Sequence, residues 1–394
     1  MFPDNVIAVL NEVTEATTFA GAASNLNSRR DWNERLSIAL NGVPPFNQLS
    51  GSKLSTFNAM SEFNASTLAG SLIERVLNGI APAEAFRDLS DLFSRREARF
   101  AVIFRIAGIR VQGLISVSAD IEVMPPNLVP ATRIREEIFD IDKQGMPLYR
   151  GSITALRYPT AALIIKDTMT FIYDHEIDWD ERKKHADRID LMKRLALAAM
   201  TLASGDCAPF IQVASSWIDH SAYSYSGISG GSGYASFSGV APVGPCNIDG
   251  SELAKLYDRL SRLRGDESAA VTRAVERLCR SRNHVSAVDR AIDLGIAIEM
   301  TMLHGIDDRS ELKYRTAVNG AWLLGKTPSD RERIFKVLRE AYNARSKAVH
   351  SGQLPAKKDY GAILAGADRH CADALRAILA VGKFPKWETL IMGE

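Results

Sequence analysis

Apolar residues recur at helical spacing through most of this chain, and two stretches break the rhythm. Residues 1–95 read as helices separated by polar turns that carry Gly and Pro. The clearest run there is Ala65, Leu68, Leu72, Ile73, Val76 and Leu77, with Gly79 as a stop and Ala81-Pro82 shortly after it. Near residue 99 the period shortens to that of a strand. Strands are predicted at Ala101–Ile106, Gly113–Val117, Ala161–Ile165 and Thr170–Tyr173. Helices at about 180–203 and 207–219 would complete a mixed α/β domain over residues 96–220.

The second break, residues 221–246, is rich in Gly, Ser and Tyr and reads as a flexible loop or linker, because such composition cannot bury a core of its own. No GxxxxGK[ST] occurs there and no apolar strand is predicted to lead directly into it, which sets a phosphate cradle aside.

Residues 247–385 are predicted to be an all-helical bundle. Leu253, Leu256, Tyr257, Leu260 and Leu263 mark its first helix, and Val271, Val275, Leu278 and Cys279 its second. Residues 286–303 form a third, apolar almost all round and therefore central. A fourth runs from Leu312 to Leu324. A fifth opens at a capping box, Ser329-Asp-Arg-Glu332, and closes near Gly352; a sixth spans about 358–381. The fold class is thus α+β, an all-α C-terminal bundle preceded by a mixed α/β region.

Two charges fall where apolar residues belong. The fifth helix has its stripe at Ile334, Leu338, Ala341 and Ala348, and Arg345 sits on it. In the third, Val288, Ile292, Ile296 and Leu303 form a stripe that Glu299 interrupts. A buried guanidinium is costly unless paired, so Arg345 and Glu299 are expected to meet. Such a pair either fixes helix register or serves a ligand. His350 lies five residues beyond Arg345, about 140° around an ideal helix. The two would share a face only if the last turn loosens or a second subunit brings its own copy alongside.

Composition narrows the partners. Forty-eight basic residues face 47 acidic ones, so nucleic-acid binding needs a local patch. Cys207, Cys246, Cys279 and Cys371 are far apart with no CxxC pair, which predicts free thiols and neither a zinc site nor a disulfide framework. The start, MFPDNVIAVLNEV, lacks a signal-peptide pattern, and no stretch approaches about 18 uninterrupted apolar residues; a soluble cytoplasmic protein without membrane contact is expected.

At these residues the chain resembles the HEPN domains, in particular the ApeA-like HEPN group of bacterial proteins. The motif is Arg, four to six residues, then His near the end of a core helix, here Arg345-Ser-Lys-Ala-Val-His350. AVDRAIDLGIAIEM, with Asp293 and Glu299, is similar to the family's acid-bearing helix; ELKYRTAVNGAWLLG and REAYNARSKAVHSG look like the two that follow. The likeness covers about residues 250–385. Ser346 follows the arginine where many cleaving members carry Asn, Asp or His, as ApeA-like members often do.

The resemblance implies metal- and cofactor-independent RNA cleavage in a defence or toxin role, by a homodimer under control of the N-terminal region, which would sense a regulatory partner or a phage trigger. His350 would act as general acid or base about the ribose 2′-OH, and Arg345 would hold the phosphate. Glu299 would orient Arg345, while Ser346 and Lys347 add phosphate contacts; products would carry 2′,3′-cyclic phosphates. Alternatives are a non-catalytic platform for dimerisation or for nucleotide or RNA binding, and a target for a nucleotidyltransferase with Tyr342 as acceptor.

Other constellations read more plainly. Asp174-His-Glu-Ile-Asp-Trp-Asp180 is expected to be an exposed acidic turn and not a metal site. Asp219 and His220 lack a nucleophile motif. The basic runs Arg95–Arg99 and Arg182–His185 read as solvated faces, with RNA steering as the alternative.

Overall fold

A computed structural model describes residues 3–20, 26–55, 60–94, 97–129, 160–170, 173–174, 178–218, 230–234, 245–306, 310–356 and 358–393. The fold is a helix-rich α+β. Helices α1 (Asp4–Ala20), α2 (Leu26–Asn41), α3 (Ala65–Leu77) and α4 (Pro82–Ser94) bury one apolar cluster around Leu10, Leu36, Leu40, Phe46, Leu72 and Leu89. Asn64 caps α3, accepting from the amides of Ser66 and Thr67, and Gly79 takes the left-handed conformation that ends the turn after it, φ 88°. Between α2 and α3 lies a hairpin that helical periodicity does not anticipate, β1 (Lys53–Ser55) and β2 (Met60–Glu62). Strands of three residues are too short to show a period.

The main sheet has six antiparallel strands. They are β3 (Glu97–Ala107), β5 (Ile115–Ser118), β6 (Ile121–Met124), β7 (Ala161–Thr170), β9 (Phe210–Ile218) and β10 (Gly230–Tyr234), in the order β10-β9-β3-β7-β6-β5. Two short strands, β4 (Ile109–Arg110) and β11 (Cys246–Asn247), pair in parallel, and β8 (Tyr173–Asp174) pairs with β1.

Three expectations are corrected here. Residues 207–219 contain a strand and not a helix: FIQVASSWI pairs along β3 next to the sheet's centre, where tertiary pairing outweighs a short ambiguous pattern. That strand runs directly toward the Gly/Ser/Tyr-rich segment. The segment is therefore more than a linker, since Gly230–Tyr234 form the edge strand β10 and Cys246–Asn247 pair with β4. The rest of that stretch, and Asp219 and His220, lie outside the described residues.

Helix α5 (Trp179–Ala203) lies in the chain between β8 and β9. The bundle then comprises α6 (Gly250–Arg262), α7 (Gly265–Asn283), α8 (Ala287–Met302), α9 (Leu312–Leu324), α10 (Pro328–Ser351), α11 (Tyr360–Val381) and the short α12 (Trp387–Met392). One continuous apolar cluster includes Phe104, Leu163 and Ile165 of the sheet, Met200 of α5, and Leu278, Leu294, Leu338 and Leu375 of the bundle. Among the described residues, no helix is long and apolar enough to cross a membrane.

The cysteine expectation also changes. Cys207 and Cys246 are joined by a disulfide, with Cα atoms 6.0 Å apart. The β4–β11 pairing carries Cys246 back to the end of α5, a juxtaposition invisible in sequence spacing. Cys279 and Cys371 remain thiols, and burial pushes the Cys371 thiol up to about 12.

Candidate functional site

The site is built from α8 and α10. Helix α10 begins two residues before the expected capping box. Thr327 is its cap, accepting from the Asp330 amide at 3.1 Å and donating to the Asp330 carboxylate at 2.8 Å, while Pro328 fills the first turn, where its missing N–H costs nothing. Ser329 is therefore not the cap, and Glu332 accepts from Lys336 at 2.5 Å instead. Ile334, Leu338, Ala341 and Ala348 are buried as expected, with Ala344 among them.

The stripe on α8 sits slightly round from its predicted place. Ala291, Leu294, Ile298 and Met302 are its buried residues, while Val288, Ile292, Ile296 and Leu303 are half-buried. A helix apolar almost all round does not announce which flank is innermost. Gly295 faces α10 directly. A Cβ added there would lie 2.7 Å from Arg345 Cβ and 2.3 Å from its Cγ, so only glycine admits the arginine's stem. Sequence periodicity missed this residue, although an isolated Gly inside an apolar helix is a signal of close packing.

Arg345 and Glu299 meet, as their placement on the helices predicted. The contact is thin: one guanidinium nitrogen donates to Glu299 Oε2 at 3.3 Å, with the two side chains 27% and 22% exposed. Arg345 Nε and Glu299 Oε1 are buried with no hydrogen-bond partner. Burial raises the Glu299 carboxyl above the ordinary range, against the opposing pull of Arg345. The Arg345 guanidinium also lies 5.9 Å from the Tyr342 ring centroid. Burial pushes the Tyr342 hydroxyl up too, with the Glu299 charge adding to it and the Arg345 charge opposing.

His350 is not brought to Arg345. Helix α10 stays regular to Ser351, with the Gly352 amide donating to the Ala348 carbonyl at 3.0 Å before Gly352 turns left-handed at φ 64°. The loosening of the last turn does not occur, so the two side chains leave the helix about 140° apart. His350 and Lys347 are exposed; Ser346 is half-buried.

A second ion pair in the bundle escaped sequence reading. Arg282 of α7 donates to both Asp368 carboxylate oxygens, at 2.7 to 3.1 Å, and to the carbonyls of Thr201 at 2.6 Å and Cys207 at 3.0 Å. The stripe test that found Arg345 would have found both partners. Arg282 follows Leu278 by four, and Asp368 follows Leu364 by four. A third cluster joins Asp293 to His284 Nε2 at 2.6 Å and to Arg277 at 2.7 Å, placing Asp293 against α7 and away from Arg345.

The remaining candidates have local roles. Asp178 caps α5, accepting from the amides of Asp180 and Glu181. The side chain of Asp174 and all of Glu176 lie outside the described residues, as do Arg95 and Arg96. Arg182 stacks on Trp179 at 5.0 Å, and His185 Nδ1 sits 2.9 Å from the buried carboxylate of Asp167. Among the described residues, no group of three or more His, Cys, Asp or Glu is placed to hold a metal ion. Comparison of the chain with family models, curated proteins and solved structures returns no match.

Proposed function

We propose that residues 247–385 are a HEPN-type bundle and that the protein is a metal-independent endoribonuclease, using Arg345 and His350 to leave 2′,3′-cyclic phosphate ends. The observation that carries this reading is the incomplete Arg345–Glu299 pair, in which a buried donor and a buried acceptor are left over. Each such atom costs roughly 1–3 kcal/mol, a poor arrangement for a pair whose only task is to hold helices together. A phosphate supplies the acceptors that the guanidinium fork lacks. His350, exposed at the helix end, is the proton-transfer group for the 2′-OH or the leaving 5′-oxygen.

In this reading two copies pair so that both motifs line one cleft. Glu299 positions Arg345, and Ser346 and Lys347 add phosphate contacts. The N-terminal region answers to a trigger, in a cytoplasmic defence or toxin system. One observation favours the plainer alternative, an RNA-binding or dimerisation module without chemistry: within a single chain, Arg345 and His350 point to different sides of α10. Incubation of the purified protein with total RNA in EDTA, followed by analysis of the fragment ends, separates the two. We expect cleavage with 2′,3′-cyclic ends, abolished in a folded His350→Ala variant. Cleavage that persists in that variant would end the mechanism.

A further inference from the structure

The outer flank of α10 carries a row of arginine–aromatic contacts. The Arg331 guanidinium lies 3.7 Å from the centroid of Trp322 on α9, Arg339 lies 5.6 Å from that of Phe335, and Arg345 lies 5.9 Å from that of Tyr342. Tyr314 of α9 adds a fourth ring, edge-on to Phe335 at 5.9 Å and 56% exposed. From Arg331 to Arg345 the row runs about 21 Å at 1.5 Å per residue.

Helix geometry puts the α10 residues of this row, Arg345 apart, on one surface. At 100° per residue, Arg331, Phe335, Arg339, Tyr342, Ser346 and Val349 fall within about 80° of one another. Arg345 lies about 40° outside that sector toward the core, and His350 about 20° outside it on the other side. The flank therefore passes between the two motif residues that the regular helix keeps apart. Three neighbouring acids are already engaged, Glu332 by Lys336, Glu340 by Lys358 and Glu299 by Arg345, while Glu311 at the start of α9 is exposed. On a chain of net charge +1, this leaves the flank locally positive.

We infer that this flank is a track for single-stranded RNA, whose bases stack on Tyr314, Phe335 and Tyr342 while Arg331, Arg339 and Arg345 meet its phosphates. The inference rests on the proposed ribonuclease reading and assigns the residues along which its RNA would run. Stacking platforms joined to cations select single strands, because bases in a duplex are already stacked on each other. Arg331 has a second duty, since its Nε donates to the Gly325 carbonyl at 3.1 Å and closes the end of α9. Tyr314 and Arg339 are exposed, so they are the residues to test.

The probe is a short fluorescein-labelled oligouridylate, followed by anisotropy against protein carrying His350→Ala so that the strand stays intact. A labelled RNA hairpin is the duplex control. We expect the single strand to bind at least about tenfold more tightly than the hairpin, and Tyr314→Ala with Arg339→Gln to weaken it about tenfold. The salt dependence of binding should also become shallower. Melting temperature and molar mass by light scattering should not change. Arg339→Gln alone, on an exposed position, covers the case in which the double variant misfolds.

Equal affinity for strand and hairpin, or unchanged affinity in the variants, would overturn the track. So would a fall in molar mass in the double variant, which would mark the flank as a seam between protein copies. The two proposals fail separately. If protein with His350 intact cuts RNA and the double variant cuts it equally well, the track is wrong and the nuclease stands. If nothing is cut but strand binding depends on Tyr314 and Arg339, the nuclease is wrong and the track stands.

Discussion

Two of the ion pairs in the helical bundle, Arg282–Asp368 and Arg345–Glu299, are built on opposite plans. Arg282 and Asp368 are 1% and 2% exposed at their side chains, and every guanidinium nitrogen of Arg282 finds a carboxylate or a carbonyl. Arg345 and Glu299 are about a quarter exposed, touch once at 3.3 Å, and leave Nε and Oε1 unmatched. Burying two charges is tolerable when geometry and extra hydrogen bonds compensate for lost water, as around Arg282. The first pair ties α7 to α11 and to the end of α5. The second holds an arginine in place without satisfying it. The two pairs differ in both burial and satisfaction, and the unmatched Nε and Oε1 are what mark the second as a candidate ligand site.

The strongest way to break that contrast is Asp368→Asn. It preserves shape and removes the counter-charge of a fully buried guanidinium, which should cost on the order of 3–5 kcal/mol in urea unfolding. A loss below about 1 kcal/mol, the range of exposed pairs, would mean Arg282 is not the structural pair described. Next comes Gly295→Ala. Its new Cβ would meet the stem of Arg345 at 2.3 Å and 2.7 Å, so helix α8 or α10 must shift, costing roughly 1–3 kcal/mol. Gly320→Ala is the matched control, since its Cβ would meet Leu338 Cδ1 at 2.3 Å, in the core and away from the site. Both should lower the melting temperature. Only Gly295→Ala should lower the proposed RNA cleavage per folded molecule, and equal losses of cleavage would dissolve the distinction.

The bundle was legible because long helices repeat their pattern many times: α9 and α10 end where Gly325 and Gly352 said they would. The meeting of Arg345 with Glu299 was legible for the same reason, as charges out of place on strong stripes. The strand β9 was not, because a nine-residue apolar stretch fits either period and its pairing with β3 comes from more than a hundred residues earlier. The disulfide depends on two strands of two residues each, β4 and β11, below what any pattern resolves. Gly295 shows a third kind of gap. Which helix neighbour needs the missing Cβ is set by packing, and the sequence offers only the bare glycine.

The smallest expected effect is also the most discriminating, and it comes from Glu299→Gln. Burial raises the Glu299 carboxyl above its ordinary 4.5, so the folded protein favours the protonated form more than the unfolded chain does. The stability this group contributes is therefore fully present below the ordinary value and is lost as pH rises through the raised one. Once ionised, the carboxylate is a net cost even with Arg345 beside it. Glu299→Gln should thus melt at the same temperature as the wild type or slightly higher at pH 7. As pH is lowered through the window above 4.5, the wild type should regain ground, so that the advantage of the variant shrinks. Thermal melts of both proteins across that window test it, other titrations cancelling in the difference. A variant several kcal/mol less stable at pH 7, as expected for Asp368→Asn, would place Glu299 with Asp368 as a structural partner and remove the reason for reading Arg345 as a ligand-facing group.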